Sequence, residues 1–203
     1  MFFVCWAAVN KAAAQLLPVE VMGGHKRMGV DILWFKKFTA DKKTPWLFFH
    51  RSRASADYHN STSFGVTNAV SYNFKSGIGM VAATQMLQAG FTIKGGVQYF
   101  KLIKDGSLFT WLVAGNNTAH HFSGDWFVLA RWSPKLNEKW KWYFQAEALS
   151  TIDVENNKSL TQRVRMGLSK KRWQFGGAAD FTESGKTKLA VINNIGVFIR
   201  KEF

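Results

Sequence analysis

The sequence predicts an all-β chain: an antiparallel, up-and-down transmembrane β-barrel. Three observations carry that prediction. From Arg27 onward apolar and polar residues alternate with a period near two, and turn residues break the pattern every ten to sixteen positions. No run approaches the roughly 18–20 consecutive apolar residues that a spanning helix needs, and mean hydropathy is only −0.13. The composition is rich in strand formers and glycine but poor in proline: 18 Phe, 9 Trp and 17 Gly against 3 Pro in 203 residues. Glycines recur inside apolar segments, as at Gly77, Gly79, Gly95 and Gly96, where they would weaken a helix.

The elements follow in order. Phe2–Val9 is a short apolar run followed by Asn10-Lys11-Ala12-Ala13-Ala14-Gln15, the pattern of a secretory signal ending in an A-x-A site. Cleavage is expected after Ala14, so that 1–14 is the signal and 15–203 a single barrel domain. The basic residue usual at the start of such a signal is missing. The first clear strand runs from Arg27 to Phe38, with Val30, Ile32 and Trp34 against Asp31. Trp46 to Tyr58 follows, then Phe64 to Phe74, Ile78 to Leu87, Phe91 to Ile103 and Leu108 to Gly115. A longer connection, Asn116 to Asp125, leads to Trp126–Trp132. Trp140–Ile152, Leu160–Ser169, Trp173–Thr182 and Leu189–Phe203 complete the series. Pro45 and Pro134 fall at boundaries, where a missing N–H costs nothing. Short turns make a meander of hairpins the simplest topology.

That count is odd, whereas single-chain bacterial barrels have an even number of strands. Either Leu16–Met22 adds a strand or 27–38 leaves the wall. The range is ten to twelve, and the alternation around Asp31 favours twelve, although Pro18 weakens the added strand.

The faces separate cleanly near the C-terminus. Val191, Ile195, Val197, Ile199 and Phe203 oppose Asn194, Gly196, Arg200 and Glu202. A soluble sandwich would also alternate, with its apolar face inward. The inverted arrangement is favoured because aromatics gather at strand ends, as girdles do. Mid-strand polar positions favour Arg, Asp, Glu and Gln, while Lys is largely kept to the turns. His50 and Asn68 break the pattern, since both fall on the lipid face. The candidate lumen residues are Arg51, Arg53, Asp57, Arg131, Glu147, Arg163, Arg165, Asp180, Arg200 and Glu202.

The ending Asn194-Ile195-Gly196-Val197-Phe198-Ile199-Arg200-Lys201-Glu202-Phe203 resembles the last strand of bacterial outer-membrane proteins. In those proteins a terminal Phe is read by the barrel-assembly machinery. The stretches at 64–79, 133–141 and 160–168 are similar to an uncharacterised family of small outer-membrane barrels of Bacteroidota. The resemblance implies a bacterial outer membrane, with lipid and lipopolysaccharide as surroundings, and carries no activity.

A formal charge of +14 calls for an anionic partner, and nucleic acid is the first to weigh. The lysines, however, sit in short clusters between apolar segments, with no nucleic-acid-binding motif, so nucleic acid is not expected. The single Cys5 lies in the expected signal, which leaves no thiolate site, and no metal or cofactor is expected. Function then reduces to the lumen. Its charges either form a narrow, porin-like passage or pocket for small anionic solutes, or pair with one another and seal a structural barrel. No enzyme is expected. The alternatives are a hydrolase using His120, His121, Ser123 and Asp125 at the outer rim, or an accessory subunit of a larger outer-membrane assembly.

Overall fold

A computed structural model describes residues 17–38, 44–59, 61–88, 90–118, 121–155, 157–186 and 189–203. The expected signal, with Cys5 and its cleavage site, lies outside these residues, and so does His120.

Twelve strands form the wall: β1 (Pro18–Gly24), β2 (Arg27–Lys37), β3 (Trp46–Asp57), β4 (Thr62–Asn73), β5 (Ile78–Leu87), β6 (Gly90–Ile103), β7 (Gly106–Asn117), β8 (Phe122–Trp132), β9 (Lys141–Asp153), β10 (Lys158–Lys170), β11 (Trp173–Gly185) and β12 (Ala190–Glu202). Each pairs antiparallel with its sequence neighbours, and β1 pairs with β12 to close the barrel. Along the seam Glu20 faces Arg200 and Val21 faces Ile199. The even count is thus met by the added strand. Pro18 is tolerated because it is the first residue of β1, where a sheet can spare a donor.

Two connections differ from the sequence expectation: β11 runs on to Gly185, past the expected end at Thr182, and the change at 116–125 is larger. β7 runs to Asn117 and β8 starts at Phe122, so the loop expected at 116–125 shrinks to a short turn. Ser123 and Asp125 therefore belong to the wall. Three hairpins at the rim remote from the termini, the distal rim, share one device. The last residue of the incoming strand, Asp57, Asn117 or Asp153, accepts the backbone N–H four residues on, from Ser61, His121 or Asn157, at 2.8–2.9 Å.

The two faces are inverted relative to a soluble barrel. Outward positions carry exposed apolar side chains such as Val97, Leu112, Ile195 and Val197, whereas buried polar groups point inward. Aromatics ring both ends: Trp46, Tyr72, Trp142 and Trp173 near the terminal rim, Tyr58, Phe64 and Phe122 near the distal one. Lys201 lies over Trp173 at 5.0 Å and over Phe203 at 4.6 Å, so its charge extends toward the rim while its stem covers apolar surface.

The interior is only half polar. Leu33, Phe49, Ala69, Val81, Phe109, Trp111, Val113, Phe127 and Leu129 form a buried apolar cluster on the inward faces of β2–β8. Those strands are apolar on both faces in their middles, which is why they read as near-continuous runs rather than alternations. On the opposite side the inward face narrows at glycine. Gly167 and Gly176 stand directly opposite each other, and a Cβ on either would strike the backbone of the neighbouring strand.

Candidate functional site

The candidate site is the lumen. Period-two geometry decides which side chains enter it. On β3, Arg51 and Arg53 point inward while His50 and Ser52 point out; on β10, Arg163 and Arg165 do the same between outward Val164 and Met166.

The inward charges meet across the barrel. Arg51 donates to Asp31 on β2 at 3.0 and 2.5 Å and reaches over to Glu147 on β9 at 2.7 Å. Arg53 binds the same two carboxylates, at 3.2 and 2.5 Å. Arg163 stands 3.6 Å from Asp31 and 3.8 Å from Asp180. Arg165 donates to Glu20 at 2.8 Å and to Asp180 at 2.6 Å. Arg200 completes the set through Glu20, the Tyr143 hydroxyl and Gln145. Each carboxylate of this network is shared by two or more arginines, which is how such charges are tolerated away from water. Glu20 is 2% exposed and Arg165 3%, so screening by solvent is slight.

Next to this ionic half stands an aromatic one. Phe49 stacks on Phe109 (5.8 Å between centroids, 9° between planes) and meets Trp111 edge-on at 5.1 Å. Phe35 packs against Phe100 and Phe109 at 6.3 and 5.2 Å. The Arg51 guanidinium joins the halves, lying 5.8 Å from the Phe127 ring centre. Together these groups cross the lumen at mid-height.

Two cavities remain above them at the distal end, of about 260 and 290 Å³. Arg53 lines both. In the larger, Lys94 is paired with Asp125 at 2.7 Å, and Gln85 and Thr151 donate to the same carboxylate at 2.9 Å each. The indole N–H of Trp111 is buried there without a partner. Positive and negative groups nearly cancel around these two cavities.

The terminal mouth is different. A basin of about 1030 Å³ is walled by Lys135, Lys139, Lys141, Lys170 and Lys171, against the carboxylates Glu138 and Glu202. Arg131 and Gln174 line it too. One terminal nitrogen of Arg131 and the amide oxygen of Gln174 are buried there without a hydrogen-bond partner. Arg131 is anchored through its Nε, which donates to Gln145 at 2.9 Å.

The sequence-derived candidates are therefore distributed. Arg51, Arg53, Glu147, Arg163, Arg165, Asp180 and Arg200 share one network. Arg131 and Glu202 belong to the terminal basin. Asp57 lies at the rim and binds turn amides of His59 and Ser61. Glu20, Asp31, Lys94 and Asp125 were not among the lumen candidates. Asp31 was visible as the lone acid in an alternating segment, and Lys94 as a lysine inside an apolar run. Glu20 depended on a strand that the sequence left open. Of the rim hydrolase set, His121, Ser123 and Asp125 line the larger distal cavity; His121 pairs with Glu155 at 3.4 Å at the exposed rim, while Asp125 is buried and held by Lys94. Among the described residues no cluster of His, Cys, Asp and Glu is arranged to hold a metal.

No family model and no curated protein sequence matches the chain. Among solved structures it is similar to "KdgM porin in complex with disordered oligogalacturonate" (TM-score 0.50, 8% identity) and to "KdgM porin" (TM-score 0.50, 9% identity). Both comparisons cover 93% of this chain and 99% of the other. At such identities the likeness concerns the fold, a β-barrel of the kind found in bacterial outer membranes.

Proposed function

We propose that this chain is a bacterial outer-membrane barrel, sealed at mid-height, that binds small anionic solutes at its terminal mouth. The observation that carries the proposal is the basic basin. Lysines wall it, and a terminal nitrogen of Arg131 is a donor with no partner inside the protein, whereas the unpaired Gln174 oxygen is an acceptor and recognises no anion. An anion with several carboxylates would satisfy the guanidinium in fork geometry and draw the lysines as point charges. The distal cavities support no such preference, because Asp31, Glu147, Asp125 and Asp180 neutralise their cations. Sealing follows from the Arg51–Glu147 pair and the Phe49–Phe109 stack, which cross where a pore would run.

Within this reading the termini face the periplasm, the strand ending in Phe203 is presented to the barrel-assembly machinery, and lipid and lipopolysaccharide surround the wall. Kinship with the small barrels of Bacteroidota rests on the three sequence stretches and the last strand. Oligogalacturonate, the molecule in complex with one of the similar porins, is a suitable anionic probe.

Two measurements test the proposal. In planar bilayers the folded chain is expected to give no conductance steps; stable anion-selective steps would replace sealing by a pore. By calorimetry in detergent, trigalacturonate is expected to bind, and Arg131→Gln to weaken it roughly tenfold, as loss of one charge-assisted hydrogen bond implies. Binding indifferent to Arg131 would remove the basin from the function.

A further inference from the structure

The outward wall of β3 and β4 holds a polar cluster that neither the lumen nor the basin uses. His50 and Ser52 stand two residues apart on one strand, so both point out of the barrel. Asn68 is the direct partner of His50 on β4. The Ser52 hydroxyl lies 2.8 Å from His50 Nε2, and His50 Nδ1 lies 2.8 Å from Asn68 Oδ1. An amide oxygen only accepts, so Nδ1 carries the proton and donates it. Nε2 is then left with its lone pair facing the serine hydroxyl. That is the order nucleophile, base, orienting group.

We infer that Ser52, His50 and Asn68 form a serine-hydrolase triad that cleaves acyl esters of membrane lipids reaching it sideways from the bilayer. Position selects the substrate class. The three residues lie on the outer face between the two aromatic ends of β3 and β4, marked by Trp46 and Tyr72 on one side and Phe64 on the other. Ala54 and Ala56 continue the outward row of β3 from Ser52 toward the distal rim. Val30 and Met28 flank them on β2, and Phe64 and Thr62 on β4. The row is mainly apolar, a surface suited to a lipid chain and unsuited to a water-soluble peptide.

A covered donor lies beside the pair. Trp34 is the direct partner of His50 on β2, and its indole N–H is buried with no hydrogen-bond partner. A turn of the indole that uncovers this N–H would make it the donor to an ester oxygen as negative charge develops there. Rigidity comes from the inner face. Between His50 and Ser52 in sequence, Arg51 turns inward and is fixed by Asp31 and Glu147. The strand carrying nucleophile and base is thereby held from behind. Asn in place of a carboxylate leaves the orienting group uncharged, which avoids burying an anion in hydrocarbon.

The reaction balances with water as co-substrate. Ser52 Oγ forms a bond to the ester carbon while His50 Nε2 takes the hydroxyl proton. The bond from that carbon to the alcohol oxygen breaks, and the leaving alcohol takes the proton from His50. Water then attacks the acyl-Ser52 ester, passing a proton through His50, and fatty acid and free serine are restored. No oxidant or metal enters the sequence.

The test uses the full chain refolded in detergent, with heat-modifiable gel mobility as proof of folding. A long-chain alkyl fluorophosphonate is expected to label Ser52, located by peptide mass spectrometry. Phospholipid in mixed micelles is expected to yield free fatty acid. Ser52→Ala should abolish labelling and lower fatty-acid release by roughly a thousandfold or more. Asn68→Ala should lower kcat while leaving KM near its original value, the sign of an orienting rather than a binding role. Folded protein in which Ser52 stays unlabelled overturns the inference, as does fatty-acid release that survives Ser52→Ala. In either case the three groups only satisfy one another on the outer wall.

Discussion

At the scale of single residues the barrel depends on charges that cannot be removed one at a time. Glu147 accepts from both Arg51 and Arg53 across the lumen, at 2.7 and 2.5 Å. Its side chain is 1% exposed, so no solvent can take its place without a rearrangement. Glu147→Ala is expected to cost about 3–5 kcal/mol, the penalty for leaving buried cations short of their counter-charge. Urea unfolding of the refolded protein in lipid measures it; a loss below about 1 kcal/mol would mean that water fills the gap. Most arginines of this network were legible from period-two alternation alone. Their partners were less so. Asp31 stands opposite Val30, Ile32 and Trp34 in an alternating segment, but Glu20 lies in β1, which only its pairing with β12 and β2 establishes as a strand. Asp125 reads as a loop residue because its flanking Ser123, Gly124 and Asn116 look like turn residues. They lie in strands, and Asp125 is buried because Lys94 on β6 stands ready to neutralise it.

Strands and turns divide the work differently. The wall carries hydrogen bonds on both edges of every strand, including β1, so no open edge remains. The turns are where the backbone is strained. Lys171, the first residue of the two-residue link between β10 and β11, has φ 55°, and Asp105, before β7, has φ 60°. A left-handed conformation costs an ordinary L-residue about 1–2 kcal/mol, and glycine adopts it freely. Lys171→Gly is therefore expected to raise stability by up to about 1 kcal/mol, because glycine gives back part of the gain as added freedom of the unfolded chain. Equilibrium unfolding would register the change; a loss of stability would mean that the Lys171 side chain contributes more than its backbone costs. Strand ends in this sequence were readable to within a few residues wherever a turn residue follows an aromatic. They were not readable at 116–117, 122–125 and 183–185, where the polar ends of strands resemble loop.

For the whole molecule the decisive property is the uneven spread of charge. At the distal rim Lys26, Arg27, Lys158 and Lys186 are balanced by Asp57, Asp153, Glu155 and Glu183, with Lys186 3.4 Å from Glu155. At the terminal rim Lys75, Lys104, Lys135, Lys139, Lys171 and Arg172 are exposed against Asp105 and Glu138. The basic excess of the chain is thus greatest at one mouth, while the lumen cancels most of its own charge. Anion binding at that mouth should weaken steeply as ionic strength rises past about 0.1 M, where the screening length falls to about 10 Å. Calorimetric titrations at two salt concentrations decide it: affinity unchanged by salt would assign the binding to the buried groups alone.

The sequence by itself determined the class of fold, because alternation with period two is a local property that each strand displays without reference to the others. It also determined that the net charge is basic and which arginines stand on inward-facing positions. Three things were decided only by tertiary structure. The strand count needed the seam, since β1 is held by β12 and by the reach of Glu20 to Arg165 and Arg200. The sealing of the lumen needed contacts between β3 and β7 and between β3 and β9, strands far apart in sequence that only closure of the barrel brings face to face. The outward alignment of Ser52, His50 and Asn68 needed the β3–β4 register, which sets Asn68 beside His50; a slip of one residue would have turned the amide into the lumen.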